Sequence, residues 1–98
     1  MKLLTKELRD KIPELYSQED VDDPIVHAKF FTPDSNWTWY VLEFDGEDTL
    51  FCYVEGIANE LGYSSLREVK SARGPMGLPV ERDKFFEPKP LSEVKGRN

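Results

Sequence analysis

Cys52 and His27 are the chain's single cysteine and single histidine, and they form its only candidate nucleophile and base pair. A cysteine attacks as its thiolate, which needs a positive neighbourhood, whereas Cys52 is flanked by Leu50, Phe51, Tyr53 and Val54. That setting describes a small core residue, and a lone cysteine closes no internal disulfide. Carboxylates are the second chemical resource. Asp20, Asp22 and Asp23 crowd one stretch and Asp45, Glu47 and Asp48 another, dense enough to weigh for acid–base work or for a metal. Neither stretch has the twelve-residue ligand order of a calcium loop, and no Cys/His spacing resembles a zinc site. Gly74-Pro75-Met76-Gly77 lacks the lysine and hydroxyl residue of a phosphate loop, and its proline removes an amide that phosphate binding would use. Neither a catalytic residue, a metal ligand nor a cofactor site is expected.

Binding chemistry is better represented. Between Ile12 and Leu66 twelve carboxylates face Lys29 alone, for a net charge of −11. The residues before that stretch carry +2 and those after it +3, and the whole chain −6. Such separation shapes fields and partner choice, not the fold. The acidic clusters Asp20, Asp22, Asp23 and Asp45, Glu47, Asp48 are candidates for contact with a protein partner. Arg67, Lys70, Arg73, Arg82 and Lys84 are candidates for contact with nucleic acid, should folding gather them on one face. Trp37, Trp39, Tyr40, Phe51 and Tyr53 could stack bases at roughly 1–3 kcal/mol each, but they lie in the acidic stretch, where phosphates are repelled. Core packing is the expected role for them. A small enzyme would need Arg73, Arg82 and Asp83 to converge on a pocket; an ion pair fixing a loop is the simpler expectation.

The elements that must position these groups follow from pattern. Thr5 can cap a helix running to about Tyr16, with Leu8, Ile12 and Leu15 on one face, although Pro13 disfavours helix at Ile12. Ser17 to Pro24 reads as an acidic loop. Ile25–Phe31, Trp37–Phe44 and Thr49–Glu55 are rich in β-branched and aromatic residues and read as strands, with Asp45-Gly46 as a hairpin turn. Asn59–Ser64 is a possible fourth strand, weakened by Gly62. Ser64 or Ser65 can cap a short helix to about Ala72, with Glu68 placed for a capping box. Arg73 to Pro79 is expected to be an ordered loop, because the apolar residues from Met76 to Phe86 need cover, and Ser92–Lys95 to add a helical turn. The fold class is α+β in one domain spanning 1–98. An antiparallel sheet of three to four strands is expected, with an N-terminal helix, a short helix after the sheet and an ordered Gly/Pro-rich C-terminal segment. The longest uncharged apolar run, Trp37 to Leu42, is far below the roughly 20 residues of a membrane helix, and the first residues lack the apolar stretch of a secretory signal. A cytoplasmic protein is expected.

Three strings carry a resemblance: Phe30-Phe31-Thr32-Pro33-Asp34-Ser35-Asn36-Trp37-Thr38-Trp39-Tyr40; Gly56 with Glu60-Leu61-Gly62-Tyr63; and Arg73-Gly74-Pro75-Met76-Gly77-Leu78-Pro79-Val80-Glu81-Arg82-Asp83. From Leu3 to about Val94 the chain resembles the bacterial family catalogued as domain of unknown function 2958. The resemblance implies an origin in a bacterium, phage, plasmid or integrative element, and it transfers neither an activity nor a catalytic residue. Where family members tend to carry glycine, this chain has Cys52. The expectation is a non-enzymatic accessory protein of a mobile element that binds a host or element protein through its acidic surface, inhibition of restriction or of an RNA-guided defence complex being the sharpest form. Direct nucleic-acid binding through the basic residues is the alternative, and an enzyme of unknown reaction the third.

Overall fold

A computed structural model describes residues 2–96; Arg97, which contributes to the basic tail, lies outside them. Helix α1 (Lys6–Lys11) starts where Thr5 accepts a hydrogen bond from the Leu8 amide at 3.2 Å. It ends at Ile12, which is extended, well before the expected Tyr16. The proline at 13 explains the early stop, since its ring excludes helical backbone at the preceding residue. Ile12 is buried in the core instead of continuing a helical face.

The strands are β1 (Ile25–Val26), β2 (Ala28–Phe31), β3 (Thr38–Phe44), β4 (Thr49–Glu55), β5 (Asn59–Ser65), β6 (Glu81–Arg82) and β7 (Lys89–Pro90); helix α2 (Leu66–Ser71) follows β5 and α3 (Leu91–Lys95) follows β7. The main sheet is antiparallel and has five strands in the order β5-β4-β3-β2-β6, not three to four. The fifth, β6, is two residues long, too short for alternation to reveal it. The expected strand over 25–31 is two strands, because β1 leaves the sheet to pair with β7 as a separate ribbon. His27 sits at the division and donates its amide to the Val41 carbonyl at 2.8 Å. Gly62 weakens nothing, since β5 is an edge strand and a methyl group there would meet no atom.

Strand β3 is apolar on both sides because both of its faces are covered. On one face Phe30, Val41, Leu50 and Cys52 pack against Leu3, Leu4, Leu66 and Val69, brought by the N-terminal segment and α2. On the other, Tyr40, Leu42 and Tyr53 pack against Leu91 and Val94 of α3. Fully burying each such aliphatic side chain stabilises the fold by about 1.5–3 kcal/mol. Tyr40 and Tyr53 are thus core residues, with centroids 6.2 Å apart, and Trp39 packs on the opposite cluster. Trp37 stacks on Trp39 at 6.1 Å and lies over Gly56, where any Cβ would stand 2.7 Å from its ring. After α2 the chain turns back through a bridge between Arg73 and Pro79, but of the apolar residues expected to be covered only Val80 is buried, Phe86 packs partly against the α3 cluster, and Met76, Leu78 and Phe85 are exposed. Asp34 Oδ2 accepts the Met76 amide at 2.7 Å, and a methyl group on Gly74 would overlap the same carboxylate.

Candidate functional site

Half of the acidic candidates are engaged in building the fold. Asp23 accepts the Ser92 amide at 2.9 Å and its hydroxyl at 2.6 Å, which caps α3. Asp45 Oδ1 accepts the amides of Glu47, Asp48 and Thr49 across the hairpin, where Gly46 adopts φ +89°. Asp48 accepts the Ser65 hydroxyl at 2.6 Å and the Arg67 amide at 2.8 Å, so it tethers the hairpin to the start of α2. Ser65 in turn accepts the Glu68 amide, which makes it the N-cap. These bonds favour the charged form and hold the Asp23, Asp45 and Asp48 carboxyls below their ordinary value: the Ser92 hydroxyl leads for Asp23, the Glu47 amide for Asp45 and the Ser65 hydroxyl for Asp48. Asp20, Asp22 and Glu47 are exposed.

A groove beside Asp22 was not found from the sequence. It encloses about 400 Å³ between the segment 16–24, the edge strand β5 and the start of α3. Its position depends on Glu43, a carboxylate only 4% exposed at the bulge in β3. Glu43 Oε1 accepts the Tyr16 amide at 2.7 Å and Oε2 the Gln18 amide at 2.9 Å. Gln18 then donates its side-chain amide to the Leu42 and Ile25 carbonyls and accepts the Ile25 amide, tying the loop to β3 and β1. Tyr16 is held at φ +70°, the sole positive value outside glycine among the described residues. Such backbone is costly for a tyrosine and persists where the surroundings overdetermine it.

Tyr16, Val21, Leu61 and Tyr63 are all exposed around the groove, and Phe51 forms part of its floor. Tyr63 packs on Phe51 at 5.0 Å and faces Tyr16 at 6.5 Å. Its phenol is pushed up by desolvation first, then by its hydrogen bond to Tyr16 and by the charges of Tyr16, Glu43 and Glu19. Glu19 and Asp22, both exposed, also line the groove, as does Lys95, which lies over the Tyr53 ring at 5.4 Å. Beyond β5 the sheet has no further strand among the described residues. A carboxylate inside an otherwise apolar strand is the signal in the sequence that could have found this groove, through Glu43.

The basic candidates separate. Lys70 and Arg73 line a second groove of about 620 Å³ together with Lys2, Lys6 and Arg9. Arg82 and Lys84 line a third opening of about 660 Å³, and Arg67 lines neither. Arg82 donates to the Lys2 and Leu3 carbonyls, fastening the N-terminal segment. Arg73 and Asp83 line different openings. Asp83 Oδ2 lies 4.0 Å from Lys29 Nζ while Oδ1 accepts the Phe85 amide. Cys52 is fully buried and its thiol is pushed up to about 12 by burial, so it is inert as a nucleophile near neutral pH. His27 is lowered by burial. Among the described residues no group of three or more His, Cys, Asp or Glu side chains is placed to hold a metal ion, and no helix is long and apolar enough to cross a membrane.

Comparison with curated proteins finds no match, and comparison with solved structures finds none either. The strings containing Asp34 and Gly74, which the fold brings into contact, both lie within the stretch that a family model covers. That model, described as protein of unknown function (DUF2958), matches residues 3–95, and the chain belongs to this family.

Proposed function

We propose that the protein is a non-enzymatic accessory protein of a mobile genetic element, acting in the bacterial cytoplasm, that binds one host or element protein through the acidic-rimmed groove beside β5. The observation that carries this reading is the exposure of Tyr16, Val21, Leu61 and Tyr63 around one groove rimmed by Glu19 and Asp22. Monomeric proteins seldom leave large contiguous apolar patches in water unless something binds there. The occupant is an extended basic segment of the partner, its apolar side chains entering the groove and its Lys or Arg residues meeting Glu19, Asp20 and Asp22. Two features support an extended segment: the outer edge of β5 lacks a strand partner among the described residues, and β5 carries neither the lysine nor the proline that usually blunts an edge. Charge complementarity supports a basic one, since Glu19, Asp22 and Glu43 line the groove against Lys95 alone. A protein that handles DNA presents such basic surface, which makes inhibition of a DNA-handling or defence complex the sharpest form of the reading. The Gly/Pro-rich segment 73–79 belongs to the ordered scaffold, supported by the Arg73–Pro79 bridge and the grip of Asp34 on Met76.

Selection from a random display library of peptides tests this reading. Recovered sequences should alternate basic and apolar residues, and Tyr63→Ala should weaken their binding at least about tenfold, as expected for a buried aromatic anchor. Failure to enrich any sequence, or enrichment of ligands indifferent to Tyr63→Ala, would contradict it.

A further inference from the structure

We infer that the groove between α1 and the C-terminal end of α2 binds the phosphodiester backbone of duplex nucleic acid. The chain is acidic overall, yet this groove is lined by Lys2, Lys6, Arg9, Lys70 and Arg73 and by no carboxylate. Five charged residues drawn at random from a chain with 13 basic and 19 acidic ones would all be basic roughly once in 150 draws. The cations come from two distant segments that the fold joins. Leu3 and Leu4 bury beside Val69 and Val80, and Arg82 holds the Lys2 and Leu3 carbonyls. This places the N-terminal lysines against the end of α2, a convergence invisible in sequence, where the two sets lie about sixty residues apart.

The competing intramolecular contacts are weak or leave the charge outward. Lys6 meets Asp10 at 3.5 Å, but both side chains are largely exposed, and such helix-surface pairs add little. Arg73 uses one nitrogen on the Lys70 and Ala72 carbonyls, which fixes its guanidinium without neutralising it. Arg9 lies over the Phe44 ring at 5.2 Å, which likewise keeps its charge. Lys2 and Lys70 have no ion pair among the described residues.

The lining decides what kind of anion fits. It contains no aromatic ring for stacking an unpaired base, and its remaining residues, Leu3, Leu4, Pro79 and Val80, offer no side-chain donor or acceptor for reading base edges. What is left is phosphate contact, which a duplex supplies at one charge per roughly 1.7 Å of its axis. Recognition is therefore independent of sequence and steeply sensitive to salt. This groove shares its apolar floor with the α2 face of the sheet, whereas the Tyr63 groove adjoins the α3 face. The two can be occupied together, and this inference stands independently of the protein-binding one.

Fluorescence anisotropy with two unrelated 20-bp duplexes and a 20-nucleotide single strand tests it. Both duplexes should bind equally and more tightly than the single strand. If all five cations engage, affinity falls about 500-fold between about 50 and 200 mM salt. Lys70→Gln with Arg73→Gln should reduce that fall to about 40-fold, and Lys70→Arg with Arg73→Lys should restore it. Arg67→Gln with Lys84→Gln, outside the groove, should leave it unchanged. Absence of duplex binding at low salt, an equal loss in the Arg67/Lys84 variant, or equal competition by polyglutamate would each overturn the assignment.

Discussion

Replacing Gly74 by alanine probes how tightly the segment 73–79 is built into the fold. Its backbone lies outside the left-handed region, so alanine meets no intrinsic penalty there. The obstacle is steric: the new methyl group would occupy the space of the Asp34 carboxylate, standing 2.7 Å from Oδ2 and overlapping Oδ1 outright. Asp34 must then withdraw and release the Met76 amide, now at 2.7 Å. Losing a charge-assisted hydrogen bond at a partly exposed site costs about 1.5 kcal/mol. Forcing an extra methyl into filled space costs about 1–3 kcal/mol more, and the lower entropy of the unfolded chain returns about 0.4–1 kcal/mol. The expected net loss is about 2–4 kcal/mol, measured as the urea unfolding midpoint followed by tryptophan fluorescence. Asp34→Ala removes the obstacle, so in that background Gly74→Ala should be neutral or stabilising by up to about 1 kcal/mol, a reversal of sign. Gly77→Ala is the control. Gly77 adopts φ +79°, and a methyl group added there would meet no atom, so its cost of about 1–2 kcal/mol is conformational and should persist in the Asp34→Ala background. Additive effects of Gly74→Ala and Asp34→Ala would refute the packing argument, as would a harmless Gly74→Ala alone.

Glu43→Gln keeps the shape of the side chain but sets an NH2 group against the Tyr16 or Gln18 amide; calorimetry should show a loss of about 2–4 kcal/mol and weakened peptide binding, and a loss below about 0.5 kcal/mol would mean the carboxylate does not anchor the groove. The lowered carboxyls of Asp23, Asp45 and Asp48 stabilise the fold above their unfolded value near 3.8, and that contribution disappears as pH falls below it through the folded values. Asp48→Asn should therefore flatten the decline in thermal midpoint between about pH 4 and 2, whereas an unchanged slope would contradict the capping role. His27, lowered by burial from 6.5, adds a separate decline as pH drops below 6.5, which His27→Phe should abolish. Cys52, with its thiol near 12, should resist iodoacetamide in the native state at pH 8 and react once unfolded; prompt native labelling would show that the core opens readily.

The parts of the fold legible in sequence are those with a local cause. Strand β4 and the Asp45-Gly46 turn follow from alternation and from a glycine that accepts positive φ, and α2 from the cap at Ser65. What stayed hidden is set by distant partners. Nothing local at β6 distinguishes two residues of strand from loop; they pair because β2 leaves an open edge. The split of the 25–31 stretch depends on β7, more than sixty residues later. The same holds for the candidate sites. The density of Asp45, Glu47 and Asp48 was visible, but their engagement in turn and cap was not, since it requires Ser65 and Arg67 to arrive beside them. The aromatic groove escaped because Tyr16 belongs to a loop and Leu61 and Tyr63 to a weakly patterned edge strand, which the fold brings together through the hold of Glu43 on the loop and the contact of Tyr16 with Tyr63. The basic groove escaped because its members divide between the chain's two ends.

These observations shift the weight of the acidic stretch from its charge density to one place within it. Asp23, Asp45 and Asp48 hold the fold, so neutralising them tests stability as much as binding, whereas Glu19, Asp20 and Asp22 can be changed with their structural bonds intact. Backbone amide chemical-shift mapping with a selected basic peptide locates its binding surface. Shifts should concentrate on Tyr16 to Asp22 and on β5, and shrink for Glu19→Gln with Asp22→Asn as salt screening would also cause. Shifts confined to the Asp45–Asp48 turn, or to the basic groove around Lys70 and Arg73, would contradict binding at the Tyr63 groove.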